Sequence, residues 1–280
     1  MDFQSAYKII RPSIVGIGFT DFQGNCQIIG TGFIVHSSGW IMSNRHVLEP
    51  LLVESDCGIK IRPDAAVMLF VNGIPDPNFV GVVGVIPAKI TELAFSPIDI
   101  ENLNIENKKY NGLEPIKTLS PEEPDIGVCK IELKDLPPEA TQLKAVKIID
   151  SNEFEEGTNI GIIGFPQGLS ISETINSISL LQLTPILQVG IISAILPFSG
   201  IPNPSNFILD LFINGGSSGS PLFTEKGEVI GIVFATRQVF NPLTTISNGN
   251  TSNDTGVYTT SGLGLAIPSS RFPKEWLSKD

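Results

Sequence analysis

Apolar residues along this chain come in short runs, and most runs are closed by glycine, proline, serine or an acidic turn. The segments Ile14–Phe19, Ile28–Val35, Ala66–Val71, Phe79–Ile86, Ile126–Leu133, Ile160–Phe165 and Val229–Ala235 are of strand length and rich in Val, Ile and Phe. Residues of that kind between turn signals predict β-strands. With 27 glycines and 21 prolines, long helices are disfavoured. Repeated strands without intervening helical periodicity point to a sandwich or barrel, not to a βαβ fold. Leu136-Pro137-Pro138-Glu139 marks a junction, and Pro273-Lys274-Glu275-Trp276-Leu277 reads as a short terminal helix. Thr174–Leu209 carries no charge and is long enough to cross a membrane, but Pro185, Pro197, Pro202 and Pro204 interrupt it. Buried strands explain the missing charge better.

Three stretches carry chemistry. Asn214-Gly215-Gly216-Ser217-Ser218-Gly219-Ser220-Pro221 sets a serine in a glycine-rich bend before the apolar Leu222-Phe223. Glycines permit backbone conformations closed to other residues, so successive N–H groups can converge on one point. Gly30-Thr31-Gly32-Phe33-Ile34-Val35 and Trp40-Ile41-Met42-Ser43-Asn44-Arg45-His46-Val47 read as a hairpin ending at a histidine. His36, the chain's other histidine, falls at the turn and reads as a solvated loop residue. Asp125 opens the strand containing Ile126, Val128 and Ile131, beside the acidic Glu122 and Glu123.

In the order His, Asp, Ser, these pieces resemble the trypsin-like serine peptidases, most closely the Deg/HtrA branch. Further matching motifs are Gly161-Ile162-Ile163-Gly164-Phe165-Pro166-Gln167-Gly168, Gly190-Ile191-Ile192-Ser193-Ala194, Gly227-Glu228-Val229-Ile230-Gly231-Ile232 and Gly264-Leu265-Ala266-Ile267-Pro268. The resemblance implies an all-β fold of two six-stranded antiparallel barrels, chymotrypsin-like, with the short C-terminal helix added. The first barrel would span residues 1–138 and carry His46 and Asp125, and the second, residues 146–280, would carry Ser218. It also implies a serine endopeptidase working through an acyl-enzyme. Ser218 would be the nucleophile, His46 the general base and then acid, and Asp125 the carboxylate that orients the imidazole. The oxyanion hole would be built by Gly216, Ser217 and Ser218, with the N–H groups of Gly216 and Ser218 as donors. Phe212 would lie at the base of the pocket for the substrate's P1 side chain, with Phe234, Ala235 and Thr236 as a wall. An apolar P1 preference follows, although strand alternation turns Asp210 towards the same side as Phe212.

The chain departs from the family pattern in several places. His46 and Asp125 are 79 positions apart, which implies an insertion within residues 54–118. Ser217 stands where relatives often carry Asn or Asp, Ser220 where Gly is common, and Gly215 where the Deg branch often has Pro.

A net charge of −11 argues against nucleic acid and anionic membrane surfaces as partners, leaving protein or peptide substrates. Cys26, Cys57 and Cys129 lack framework spacing, so a reducing, cytoplasmic setting is expected; no signal peptide is recognised at Met1–Ser5, and a trimmed export signal stays open as the alternative. No Cys-x-x-Cys spacing supports zinc, and no metal or cofactor is called for. Cys129 reads as a small core residue. Phe3 and Tyr7 suit either an oligomer contact or packing of the N-terminus onto the chain's own body. Two function classes stay open: an active endopeptidase, and a silent or partner-activated module of the same fold.

Overall fold

The computed structural model describes residues 2–23, 25–56, 58–72, 83–96, 124–168, 170–175, 178–183, 185–247 and 250–277. Helix α1 (Phe3–Ile10) is capped by Asp2, whose carboxylate accepts from the Ser5 N–H at 2.8 Å. Strands β1 (Ile14–Thr20), β2 (Cys26–His36) and β3 (Trp40–Ser43) follow, then the one-turn helix α2 (Arg45–Leu48). The hairpin β4 (Leu52–Ser55) and β5 (Gly58–Ile61) stands apart. Strands β6 (Ala65–Asn72), β7 (Val83–Phe95) and β8 (Gly127–Ile131) complete the first half. Its order β1-β2-β3-β8-β7-β6 closes into a barrel through the β1–β6 pairing. Of residues 54–118, β6 and much of β7 are thus barrel wall, while residues 97–118 lie outside the described chain.

Helix α3 (Pro138–Thr141) follows the proline pair. The second half holds β9 (Lys147–Ile148), β10 (Asn159–Gly164), the hairpin β11 (Ser170–Ile175) and β12 (Ile178–Leu183), β13 (Ile186–Leu196) and β14 (Asn206–Leu209). It ends with β15 (Pro221–Phe223), β16 (Glu228–Ser247), β17 (Asn250–Pro268) and helix α4 (Lys274–Leu277). Because β15 pairs with both β10 and β16, the ring β15-β10-β13-β14-β17-β16 also closes, with β9 added to β16 in parallel. The expected pair of six-stranded antiparallel barrels is therefore present, as is the terminal helix.

Strand alternation explains why the apolar runs are nearly continuous. Neighbouring residues point to opposite faces of a strand, and here both faces are buried. In β2 and β3, Ile34 and Ile41 fill the first barrel while Phe33 and Met42 face outward. In β15 and β16, Leu222, Ile230 and Val233 fill the second barrel while Phe223, Val229 and Ile232 face outward. The outward sets meet in one inter-barrel layer with Met68, Ile126, Val128, Ile163 and Phe165. Helices α1 and α4 cover this layer with Ala6, Ile10 and Trp276. Phe3 meets Phe223 edge-on at 6.1 Å, and Tyr7 donates to the Pro185 carbonyl at 3.5 Å, so both side chains are engaged within the chain.

The ribbon β16–β17 runs well past the barrel, pairing out to Ser247 and Asn250. Only its barrel end, Val229–Ala235, belonged to an expected strand; polar residues from Arg237 to Gly256 hide the rest.

Phe223 is fully buried in the inter-barrel layer, whereas Val239 on the ribbon is 43% exposed. Phe223→Ala should cost about 3–5 kcal/mol in chemical denaturation, and Val239→Ala less than about 0.5 kcal/mol. Equal losses would contradict a load shared between the two barrels.

Candidate active site

His46 sits on α2, directly beyond β3, and Asp125 lies just ahead of β8; the two strands are neighbours in the first barrel. Asp125 is buried, and its carboxylate takes two donors. The His46 backbone N–H reaches Oδ1 at 3.0 Å, and His46 Nδ1 meets Oδ2 at 2.5 Å. Asn44, wholly buried, donates from Nδ2 to the Asp125 carbonyl at 2.8 Å and so fixes the backbone on which the carboxylate is mounted. With the Nδ1 proton directed at the carboxylate, Nε2 is left as the accepting nitrogen. The imidazole keeps 37% of its surface open.

Ser218 lies in the bend between Ile213 and β15. Gly216 and Gly219 have φ of +87° and +85°, in the left-handed region where a side chain is strained. A Cβ on Gly219 would also strike the Thr31 carbonyl and the Ser43 hydroxyl, so the bend presses directly against β2 and β3. Each peptide of the bend is anchored. Gln167 N–H donates to Gly215 O, the Thr31 hydroxyl to Gly216 O at 2.8 Å, Ser220 N–H to Ser217 O at 3.0 Å, and Thr31 N–H to Ser218 O at 2.8 Å. In a trans peptide the N–H points away from the carbonyl, so tying the carbonyls aims the amides. Ser217 N–H closes the turn onto Asn214 O at 3.0 Å. The N–H groups of Gly216 and Ser218 have no acceptor among the described residues, which leaves them available to an oxyanion. Ser217, expected as part of that hole, contributes the turn and not a free donor.

The bend and α2 share a common anchor, because Ser43, three residues before His46, donates to the Thr31 carbonyl at 2.6 Å. The Ser218 hydroxyl donates to the Phe234 carbonyl at 3.3 Å, and among the described residues it makes no bond to His46. The roles of Thr31, Ser43 and Asn44 were not foreseen. They lie inside the motifs around Gly30 and His46, but side-chain reach across a barrel interface leaves no mark on sequence spacing.

Burial alternates from Leu209 to Ile213, so Leu211 and Ile213 face the barrel core while Asp210 and Phe212 share the exposed side, as strand periodicity anticipates. Phe212 is 51% exposed. Phe234, Ala235 and Thr236 are half-buried, and Thr236 opposes Gly264, which abuts Ile213. His36 bonds Ser38 at 2.6 Å as a turn residue. A separate cavity of about 320 Å³, lined by Arg11, Ile14, Leu69, Phe70 and Leu143 among others, contains none of these residues. Among the described residues no cluster of His, Cys, Asp or Glu could hold a metal.

Comparison with known proteins gives a consistent outcome. The family model for the trypsin-like peptidase domain matches residues 30–232. A protein of Pseudomonas putida (strain GB-1) named "Probable periplasmic serine endoprotease DegP-like" is 27% identical over 215 residues, 76% of this chain and 30% of the relative. A protein of Synechocystis sp. named "Putative serine protease HhoB" is 27% identical over 216 residues, 75% of this chain and 35% of the relative. The chain spans about a third of the length of these relatives. Among solved structures, the HtrA-type protease AlgW with tripeptide is 18% identical with a TM-score of 0.48, covering 96% of this chain and 60% of that one.

These names correct the cytoplasmic setting expected from the cysteines. Several of the relatives are named periplasmic, although none of the cysteines here forms a framework of the kind that marks small secreted scaffolds. The physical reason is that cysteine count tracks compartment only where disulfides replace a core. Two barrels and the layer between them bury enough apolar surface without cross-links. Cys57 lies outside the described residues. Cys129 is fully buried, and burial pushes its thiol up to about 12. The thiol is therefore protonated at pH 8, and in the native protein it should resist iodoacetamide there, reacting only after denaturation, as read by peptide mass spectrometry. Prompt labelling in the native state would contradict its placement in the core.

Proposed function

The chain belongs to the trypsin-like peptidase domain family, at modest identity to its HtrA/Deg members, and we propose that it is an exported serine endopeptidase acting on protein substrates. Ser218 attacks the scissile carbonyl while His46 Nε2 takes its proton. Asp125 holds the imidazole tautomer and stabilises the imidazolium. The N–H groups of Gly216 and Ser218 receive the oxyanion, and His46 returns the proton to the leaving amine before water releases the acyl-enzyme. The observation that carries this reading is the buried Asp125 carboxylate gripping Nδ1 of His46 at 2.5 Å. A buried acid set against a half-open imidazole has a chemical use in orienting a base, and little use as a surface ion pair.

A second reading rests on the Ser218 hydroxyl, which donates to Phe234 O and not to His46. For reaction, the Ser218 side chain must rotate away from Phe234 O and towards His46 Nε2. The silent or partner-activated alternative corresponds to a molecule in which substrate or a partner must drive that rotation.

Wild-type protein should be labelled by a fluorophosphonate and should cleave casein, and Ser218→Ala should abolish both. Asp125→Asn should cut kcat by about ten-thousand-fold, because an amide cannot hold the required tautomer. Labelling that survives Ser218→Ala would rule out the nucleophile, and an unlabelled wild type would favour the latent reading.

The exposed Phe212 and the half-buried Phe234, Ala235 and Thr236, none of them charged, support cleavage after small or medium apolar residues. A peptide library should show that preference at P1. Cleavage mainly after Arg or Lys would instead assign the pocket to Asp210.

A further inference from the structure

We propose that Thr31 is the positioning residue of this site, using its side-chain hydroxyl to hold the Ser218 bend of the second barrel in its oxyanion-binding shape. The proposal rests on the reading of Ser218 and Gly216 given above. Thr31 is fully buried and belongs to the first barrel. Its backbone N–H donates to Ser218 O at 2.8 Å, and its carbonyl accepts from the Ser43 hydroxyl at 2.6 Å. Any residue on β2 could supply those two bonds. The hydroxyl supplies two more that only Thr or Ser can make: it donates to Gly216 O at 2.8 Å and accepts from Phe165 N–H at 3.0 Å.

The peptide joining Gly216 to Ser217 lies between the two peptides whose N–H groups face the oxyanion. Glycine gives little torsional resistance to its rotation. The carbonyl bond from Thr31 and the Ser217 N–H bond to Asn214 O are therefore what hold it in place. The bond from Phe165 N–H fixes the hydroxyl's own direction, because accepting there turns the hydroxyl proton towards Gly216 O. Gly164 is needed for the same contact: a Cβ there would strike both the Thr31 hydroxyl, at 2.6 Å, and the Ser220 hydroxyl. Through Ser43, the same threonine reaches the segment that carries His46. Base and nucleophile thus meet at one residue, whose backbone carbonyl accepts from Ser43 and whose hydroxyl holds the serine bend.

The test compares the full chain with Thr31→Val, which keeps the shape and loses the hydroxyl, and Thr31→Ser, which keeps the hydroxyl. Steady-state hydrolysis of a fluorogenic peptide and hydrogen exchange by mass spectrometry are read on all three. The Val variant should lose about ten- to a hundred-fold in kcat with KM within about two-fold, and the Ser variant should recover to within about three-fold of wild type. Amides of residues 214–220 should exchange at least about ten-fold faster in the Val variant alone, with the strands of the first barrel unchanged. Wild-type kcat and loop exchange in the Val variant would overturn the proposal, as would equal losses in Val and Ser accompanied by faster exchange throughout. If the wild type hydrolyses nothing, the latent reading of the site is favoured, and loop exchange alone decides the role of Thr31. If the Val variant does not fold, Thr31→Ala replaces it, removing the hydroxyl without placing a methyl against Phe165 N and Gly216 O.

Discussion

Burial of apolar side chains between the two barrels is the constraint on which everything else in this molecule depends. Neither barrel contains a complete site: the imidazole and carboxylate belong to one, and the serine bend to the other. Holding them within hydrogen-bonding tolerance requires a rigid seam. Phe33, Met42, Val128, Ile163, Phe165, Phe223 and Ile232 supply it by packing outward from their own barrels. Each such side chain contributes on the order of 1.5–3 kcal/mol on burial, so the seam is worth more than the polar contacts it encloses. Those polar contacts add direction. A seam of hydrocarbon fixes distance, but it does not choose which way a peptide N–H points.

Direction comes from a small polar set embedded in that seam. The carbonyls of the Ser218 bend are tied to Gln167, Thr31 and Ser220, and the Asp125 backbone to Asn44. Thr31, Asn44, Asp125, Ser217 and Ser220 are buried, so each of their bonds left unmade would cost about 1–3 kcal/mol of desolvation. The penalty makes the arrangement close to all-or-none. It leaves unengaged, among the described residues, the amides of Gly216 and Ser218 and the open side of His46, while the Ser218 hydroxyl rests on a 3.3 Å bond to Phe234 O.

Much of this was legible from residue order alone, for identifiable reasons. Runs such as Ile160–Phe165 and Val229–Ala235 announce strands because both of their faces are buried. The glycines at 216 and 219 announce a special bend because a side chain is strained at those φ values. The outer half of the β16–β17 ribbon stayed hidden because its pairing needs no apolar face, so Asn, Thr and Ser residues that read as loop can pair equally well there. Compartment was misread because Cys129 is a core residue, and packed barrels need no cross-link. Thr31 passed as one letter of a motif, since its partners Gly216 and Phe165 lie 185 and 134 positions away.

Local chemistry therefore decided which elements form and which side chains are able to react, because strand propensity, turn geometry and nucleophilicity are properties of short segments. Tertiary structure alone decided which carbonyl is anchored, which amide stays free and where the serine hydroxyl rests. Those outcomes depend on contacts between residues far apart in the chain, and close packing sets them only once both barrels have formed.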